Sequence, residues 1–289
     1  MAEPRTAEFT DDHGIAIVYD VHPVADGVTP RGVVQLMHGV GEHAGRYVAL
    51  IAALTAAGFA VYADDHRGHG RTGMKQHGDA ARLGHLGPGG LPAVVADVWQ
   101  LTELIRAENP GLPLVLLGHS WGSFLAQMVL DQHPDAYDAV ILSGSAHRTV
   151  RDLNSMPLNA RWKGPEATGL EWLSRDPAVW EEFRRDPLTT EEPLLKLFGV
   201  VDALRLYGRP AKDYPAGVPV LLMVGRDDPV GGPRSVHRLA DDYRSRSGLT
   251  DVTTLVYPDA RHEIFNELQQ QEVRADLLAW LDQRIPRRD

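Results

Sequence analysis

Leu112-Pro113-Leu114-Val115-Leu116-Leu117-Gly118-His119-Ser120-Trp121-Gly122 is the stretch on which the fold turns. Leu112 to Leu117 reads as a buried strand, and the residues after Gly122, as far as Leu130, read as a helix. Between them lies a G-x-S-x-G turn. In a strand-to-helix turn this tight, the positions two before and two after the serine must lack side chains. The serine hydroxyl is then held above the sheet edge. With 28 glycines in the chain, a chance match to this pattern is expected about 0.1 times. A match with a strand before it and a helix after it is much more specific. Asn109 to Leu130 carries no formal charge, but Pro110, Gly111, Pro113, Gly118, His119, Ser120 and Gly122 break it too often for a lipid-exposed helix.

Working outward, apolar runs alternate with helix-length amphipathic stretches, which predicts an α/β fold with a mostly parallel sheet covered on both faces. The predicted strands are Ile15 to Val21, Gly32 to His38, Phe59 to Ala63, Ala139 to Leu142, Val218 to Val224 and Val252 to Tyr257, beside the one already described. The second is almost wholly apolar and so central. Predicted helices cover Tyr47 to Ala57, ended by Gly58, then Leu91 to Glu108, and finally about Glu267 to Leu281. Residues 147–212 break the alternation. They hold no convincing strand, recurrent prolines, and large apolar residues that include Met156, Leu158, Trp162, Trp172, Trp180, Phe183 and Phe198. We expect a helical cap there, inserted into a core formed by residues 1–146 and 213–289. Met156, Trp162, Trp180 and Phe198 are its candidate substrate-binding side chains, although most bulky residues of such an insertion pack on one another. Periodicity in the cap is too irregular to assign a subunit surface.

A serine hydroxyl is a weak nucleophile and needs a base, which itself needs an orienting acid. On sheets of this kind the chain order is serine, then Asp or Glu, then His. Two later strands run into suitable loops, Gly225-Arg226-Asp227-Asp228-Pro229-Val230 and Pro258-Asp259-Ala260-Arg261-His262-Glu263. Both lie at the carboxyl ends of strands, where open α/β sheets place their sites. His262 is therefore the candidate base for Ser120, and either Asp227 or Asp228 the orienter. Of the 13 histidines, His119 flanks the serine but is expected on the wrong side of the turn to act as base. The backbone N–H of Trp121 and that of Val40, in His38-Gly39-Val40-Gly41-Glu42-His43, are the candidate oxyanion donors.

Composition narrows the field further. With 29 Lys and Arg against 39 Asp and Glu, the net charge is −10, which argues against a sequence-independent nucleic-acid binder or a polybasic membrane anchor. The chain has no cysteine, so disulfides, thiol catalysis and Cys-ligated zinc are excluded. The polar, acidic stretch Met1 to Gly14 lacks the order of a signal peptide, and a cytoplasmic location is expected.

Five blocks, in order, carry a resemblance: HGVGEHAGRY at His38 to Tyr47, DHRGHG at Asp65 to Gly70, GHSWG at Gly118 to Gly122, GRDDPV at Gly225 to Val230, and RHEIFNE at Arg261 to Glu267. The chain resembles serine hydrolases of the α/β-hydrolase fold, and within them the monoacylglycerol lipase and lysophospholipase group, also described as serine aminopeptidase-like. The resemblance implies Ser120 as nucleophile, Asp228 as orienter, His262 as base, and Val40 and Trp121 as oxyanion donors. Glu42, Arg46, Asp65, Arg67 and His69 fall in matched blocks and are expected to brace loops. It further implies hydrolysis of a small-molecule, lipid-like ester through an acyl-enzyme, with no metal or organic cofactor. Two positions depart from the pattern: Trp121 stands where a smaller or flexible residue is common, and Ser123 replaces a second glycine. The Trp121 ring is expected to crowd the acyl pocket. Alternatives on the same fold are an aminopeptidase, which would need cap carboxylates such as Glu166, Glu171, Glu181 or Glu182 to hold an amine, a thioesterase, a carbon–carbon bond hydrolase, a perhydrolase, a small-ester esterase, or a ligand receptor without turnover.

Overall fold

The computed structural model describes residues 3–154, 156–214 and 217–287. Its centre is an eight-stranded sheet in the order β1-β2-β4-β3-β5-β6-β7-β8. β1 (Arg5–Thr10) pairs antiparallel with β2 (Ala16–His22), and β2 antiparallel with β4 (Phe59–Asp64). From β4 onward, β3 (Gly32–Met37), β5 (Leu114–His119), β6 (Ala139–Ser143), β7 (Val220–Gly225) and β8 (Val252–Tyr257) pair in parallel. This is the α/β-hydrolase architecture that the sequence blocks imply.

The four inner strands β3, β5, β6 and β7 are buried along their whole length, because helices cover both faces. Alternate residues serve the two sides. Val33, Leu114, Leu116, Val140, Leu142, Leu222 and Val224 pack under α3 (Gly90–Glu108), α4 (Trp121–Gln132) and α7 (Gly232–Ser245). Val34, Leu36, Val115, Leu117, Ile141, Leu221 and Met223 pack under α1 (Val48–Ala56) and α8 (Gln270–Asp282). Two elements carry signals too weak to be read from the sequence. β1 is a polar edge strand with only Ala7 and Phe9 packed on the core, Phe9 against Tyr19, and α2 (Gly70–His77) contains two glycines in eight residues.

Residues 147–212 form one excursion between β6 and β7, with no strand among the described residues. It contains α5 (Pro177–Arg185), capped by the Asp176 carboxylate on the Ala178 N–H, and α6 (Leu194–Arg205), broken at Gly199. Much of the rest is irregular rather than helical. A small cluster of Leu170, Leu173 and Phe183, flanked by Trp172 and Trp180, gives it an interior of its own. Its two ends are fastened together at Arg148, whose guanidinium donates to the Leu206 carbonyl (2.8 Å) while Gly208 N–H donates to the Arg148 carbonyl (2.7 Å). Among the described residues no helix is long and apolar enough to cross a membrane.

Candidate active site at the carboxyl edge of the sheet

Ser120 sits at the junction of β5 and α4 with φ 52°, a left-handed conformation that costs a non-glycine residue on the order of 1–3 kcal/mol and tends to mark functional turns. Backbone packing explains the flanking glycines. A Cβ on Gly118 would lie 2.5 Å from the Gly122 carbonyl oxygen, and one on Gly122 would lie 2.4 Å from that of His38. The Ser120 N–H donates to the Ser143 carbonyl at 2.9 Å, tying the turn to the end of β6. Trp121 N–H opens α4, in the first turn, where amides have no intrahelical acceptor.

The loops after β7 and β8 meet so closely that a Cβ on Gly225 would lie 2.0 Å from the Arg261 carbonyl oxygen. At that meeting, His262 Nδ1 is 3.0 Å from Asp228 Oδ1, both side chains buried. The same carboxylate oxygen accepts the Val230 N–H at 2.8 Å, which fixes its direction. Asp227, the other candidate, turns outward: its side chain is half exposed and 3.6 Å from Arg161. The structure thus brings Asp228, not Asp227, to His262. With Nδ1–H given to the carboxylate, Nε2 is the lone-pair nitrogen of the neutral ring, and it is buried without a protein hydrogen-bond partner. Burial disfavours the imidazolium, but the charge and hydrogen bond of Asp228, with further contributions from Glu263 and Glu42, outweigh it and hold His262 above the ordinary histidine range.

His119 is closer to this site than the sequence suggested. Its ring centroid lies 4.8 Å from that of His262, and its Nδ1 is 3.2 Å from Ser143 Oγ. Burial, with the neighbouring His262, pushes its pKa down to about 4. His119 is therefore a neutral wall against the His262 ring at neutral pH. Gly144, at φ 56°, leaves room for both rings, since a Cβ there would lie 2.9 Å from each Cε1.

The loop after β3 is braced from several sides. His38 gives Nδ1–H to the Gly39 carbonyl (2.6 Å), and its Nε2 accepts from His66 N–H (2.9 Å). Glu42 Oε1 accepts the Gly39 N–H at 2.6 Å and the Tyr47 hydroxyl at 2.7 Å. Gly39 packs closely against the site: a Cβ there would lie 2.7 Å from Glu42 Oε1 and 3.1 Å from Ser120 Cβ. That approach puts the loop directly over the serine. Val40, next in the chain, is partly buried. The 147–212 excursion touches the same loop: Thr190 N–H donates to the Gly41 carbonyl (2.9 Å), and His43 Nε2 lies 2.8 Å from Asp186 Oδ2.

The four candidate binding side chains of the excursion divide. Phe198 reaches the turn, its ring 5.0 Å from that of Trp121. Trp162 lies under the Arg261 guanidinium at 4.6 Å, one residue from His262 in sequence. Trp180 gives its N–H to the Ser174 carbonyl (2.7 Å) within the excursion's own cluster. Met156 is 67% exposed. The residue missed is Trp172, whose ring is 5.0 Å from His262 and whose carbonyl accepts the His262 N–H at 3.3 Å. Nothing in its local pattern separates it from the other large apolar residues nearby. The Trp121 ring is 1% exposed and packs among His66 (5.5 Å), His69 (5.0 Å) and Phe198, as part of the main core. Among the described residues no group of three or more His, Asp or Glu side chains is placed to hold a metal ion.

With this geometry in view, the comparisons are specific. The family described as Serine aminopeptidase, S33 matches residues 28–269. The chain is 36% identical to a monoacylglycerol lipase of Mycolicibacterium smegmatis over 93% of both chains. It is 27% identical to the monoglyceride lipase of Homo sapiens over 89% of this chain and 84% of that one. Among solved structures, a soluble variant of monoglyceride lipase from Saccharomyces cerevisiae superposes with a TM-score of 0.79 at 24% identity, covering 99% of this chain and 97% of that one. A carboxyl esterase from Bacillus coagulans gives the same score at 24% identity, over 99% and 100%.

Proposed function

The chain belongs to the Serine aminopeptidase, S33 family of α/β-hydrolases, and on that premise we propose that it hydrolyses carboxylic esters of lipophilic acyl chains, of the monoacylglycerol or lysophospholipid kind. Ser120 Oγ attacks the ester carbonyl while His262 Nε2 takes its proton, and Asp228 holds the ring and supports the imidazolium. The negative oxygen rests on the N–H groups of Val40 and Trp121. The tetrahedral adduct collapses as His262 passes the proton to the leaving alkoxide, releasing the alcohol and leaving an ester on Ser120. Water, giving its proton to His262, attacks that ester; the acid leaves and the proton returns to Ser120.

The observation that carries this reading is the 3.0 Å contact of Asp228 with His262, with Nε2 left unengaged at the edge where a strained Ser120 projects. The names of the relatives supply the substrate class. We assign residues 147–212 as a cap, with Phe198 and Trp172 bordering the reacting centre. Glu171 argues against the aminopeptidase alternative. It already accepts from Thr168 N–H, Gly169 N–H and the Asn159 amide, and although burial opposes ionisation, the Thr168 and Asn159 hydrogen bonds contribute to holding its carboxyl down at about 2. Glu181 pairs with Arg185 on the surface of α5.

The test is initial rate on p-nitrophenyl esters from acetate to palmitate and on 1-monoacylglycerols, with Ser120→Ala alongside. Turnover that favours medium or long chains and disappears in the variant is expected. Absence of turnover on every acyl ester would overturn the assignment.

A further inference from the structure

Glu263 follows the base in sequence, and the proposed chemistry does not use it. Its carboxylate is buried, as is that of Glu42, and the Arg46 guanidinium lies between them. Arg46 Nη1 and Nη2 grip Glu263 Oε1 and Oε2 at 2.7 and 2.8 Å, and Nη1 also reaches Glu42 Oε2 at 2.6 Å. The other oxygen of Glu42 holds the Gly39 N–H at 2.6 Å and the Tyr47 hydroxyl. The Asn266 amide completes the far end on Glu263 Oε2 at 2.9 Å, and Glu263 N–H donates to the Leu173 carbonyl at 2.7 Å. One unbroken chain of charged hydrogen bonds therefore runs from the loop carrying His262 to the amide next to Val40.

We propose that Glu263 is a positioning residue for the reaction: through Arg46 and Glu42 it holds the His38–Gly39 peptide, one unit before the Val40 N–H, and so sets the oxyanion donor relative to His262. The proposal rests on the reading of Ser120, His262 and Val40 given above. Two carboxylates around one guanidinium leave a net negative charge buried near the base. A purely structural clamp would need one ion pair; this arrangement carries a second carboxylate despite the cost of burying it. The excess favours the imidazolium that forms during proton transfer. The groups facing His262 are Asp228, Glu42 and Glu263, which favour its charged form, and His119, which is neutral there and lies against the ring.

Glu263→Gln keeps the size and leaves Arg46 balanced by Glu42. We expect kcat on a p-nitrophenyl ester to fall about 10- to 100-fold, the scale of a misplaced reacting group, with KM little changed. The acid limb of the pH profile should move to lower pH. Glu263→Asp keeps the charge but shortens the reach, so kcat should fall while the limb stays near the wild-type position. Thermal melts accompany both, and if the glutamine variant does not fold, the aspartate variant decides. Wild-type kcat and an unmoved acid limb in folded Glu263→Gln would overturn the proposal, as would wild-type kcat in Glu263→Asp. Fluorophosphonate labelling of Ser120 separates this from the larger reading. If Ser120→Ala still turns over, the reading of the site fails; if Ser120→Ala is dead and unlabelled while Glu263→Gln behaves as wild type, only this inference fails.

Discussion

Thr190 and Gly41 are joined main chain to main chain, the Thr190 N–H donating to the Gly41 carbonyl at 2.9 Å. Gly41 has φ 76°, and a Cβ there would lie 2.5 Å from the Thr190 carbonyl oxygen. The loop that presents Val40 and the segment following α5 therefore share one contact surface. Gly41→Ala violates both the conformation and the spacing. We expect a loss of about 1–3 kcal/mol in stability, the scale for a residue forced into left-handed backbone. The substitution should also reduce ester turnover more than it raises KM. Chemical denaturation together with steady-state kinetics measures both.

Asp228 gives His262 an acid limb of definite sign. A base whose folded pKa is raised above the usual value of 6.5 loses function as the pH falls through that raised value, so kcat/KM should halve above pH 6.5. Stability from the same group runs the other way. It is full below the unfolded pKa and is lost as the pH rises through the folded one. Asp228→Asn removes the charge that raises the pKa, and its amide can stabilise the wrong ring tautomer. Turnover should fall by about 10⁴ while the fold survives. A pH–rate profile beside a melt at each pH checks the pair of slopes.

Ser123, where a glycine is common in the resembling family, has a use in this structure. Its hydroxyl donates to the Ser120 carbonyl at 2.5 Å and lies 2.8 Å from Ser145 Oγ. Gln127 Nε2 continues the buried chain from Ser145 Oγ, and Gln127 Oε1 accepts from Arg148, which fastens the two ends of the excursion. Ser123→Ala leaves Ser145 short of a partner. A loss of about 1–2 kcal/mol is expected, with kcat reduced less than 10-fold because no reacting group is removed. Denaturant titration gives the first quantity and ester kinetics the second.

Phe198 anchors α6 on the Trp121 ring. Truncating a buried phenylalanine costs about 3–5 kcal/mol, but here much of the loss should appear as local opening, because the excursion has its own small apolar cluster. Phe198→Ala should raise proteolytic cleavage within residues 147–212 well before it lowers the melting midpoint of the core. Limited proteolysis read by mass spectrometry beside calorimetry distinguishes the two.

What lies close in the chain was legible from it. The strand, turn and helix about Ser120 follow from residues 112–130 alone, because the contacts that demand glycine at 118 are made within the turn itself. The inner strands of the sheet were equally plain, since burial on both faces leaves them nearly all apolar: Gln35, within β3, is satisfied by Thr102 and the Val98 carbonyl, and His119 and Ser143 stand at strand ends. β1 escaped because an edge strand open to water needs few apolar residues.

The chemistry of the residues left two adjacent aspartates open as partners of His262; the family resemblance named Asp228, and the contact itself is made only by the tertiary structure. Asp227 and Asp228 share residue type and strand end, but where the loops after β7 and β8 meet, Asp228 turns inward onto His262 and the Val230 N–H while Asp227 stays half exposed beside Arg161. The link from Glu42 through Arg46 to Glu263 is of the same kind, with Arg46 and Glu263 separated by 217 positions in the chain. The partners of a charged side chain are set by where distant strands end. Local pattern can supply the residue types but not those distances.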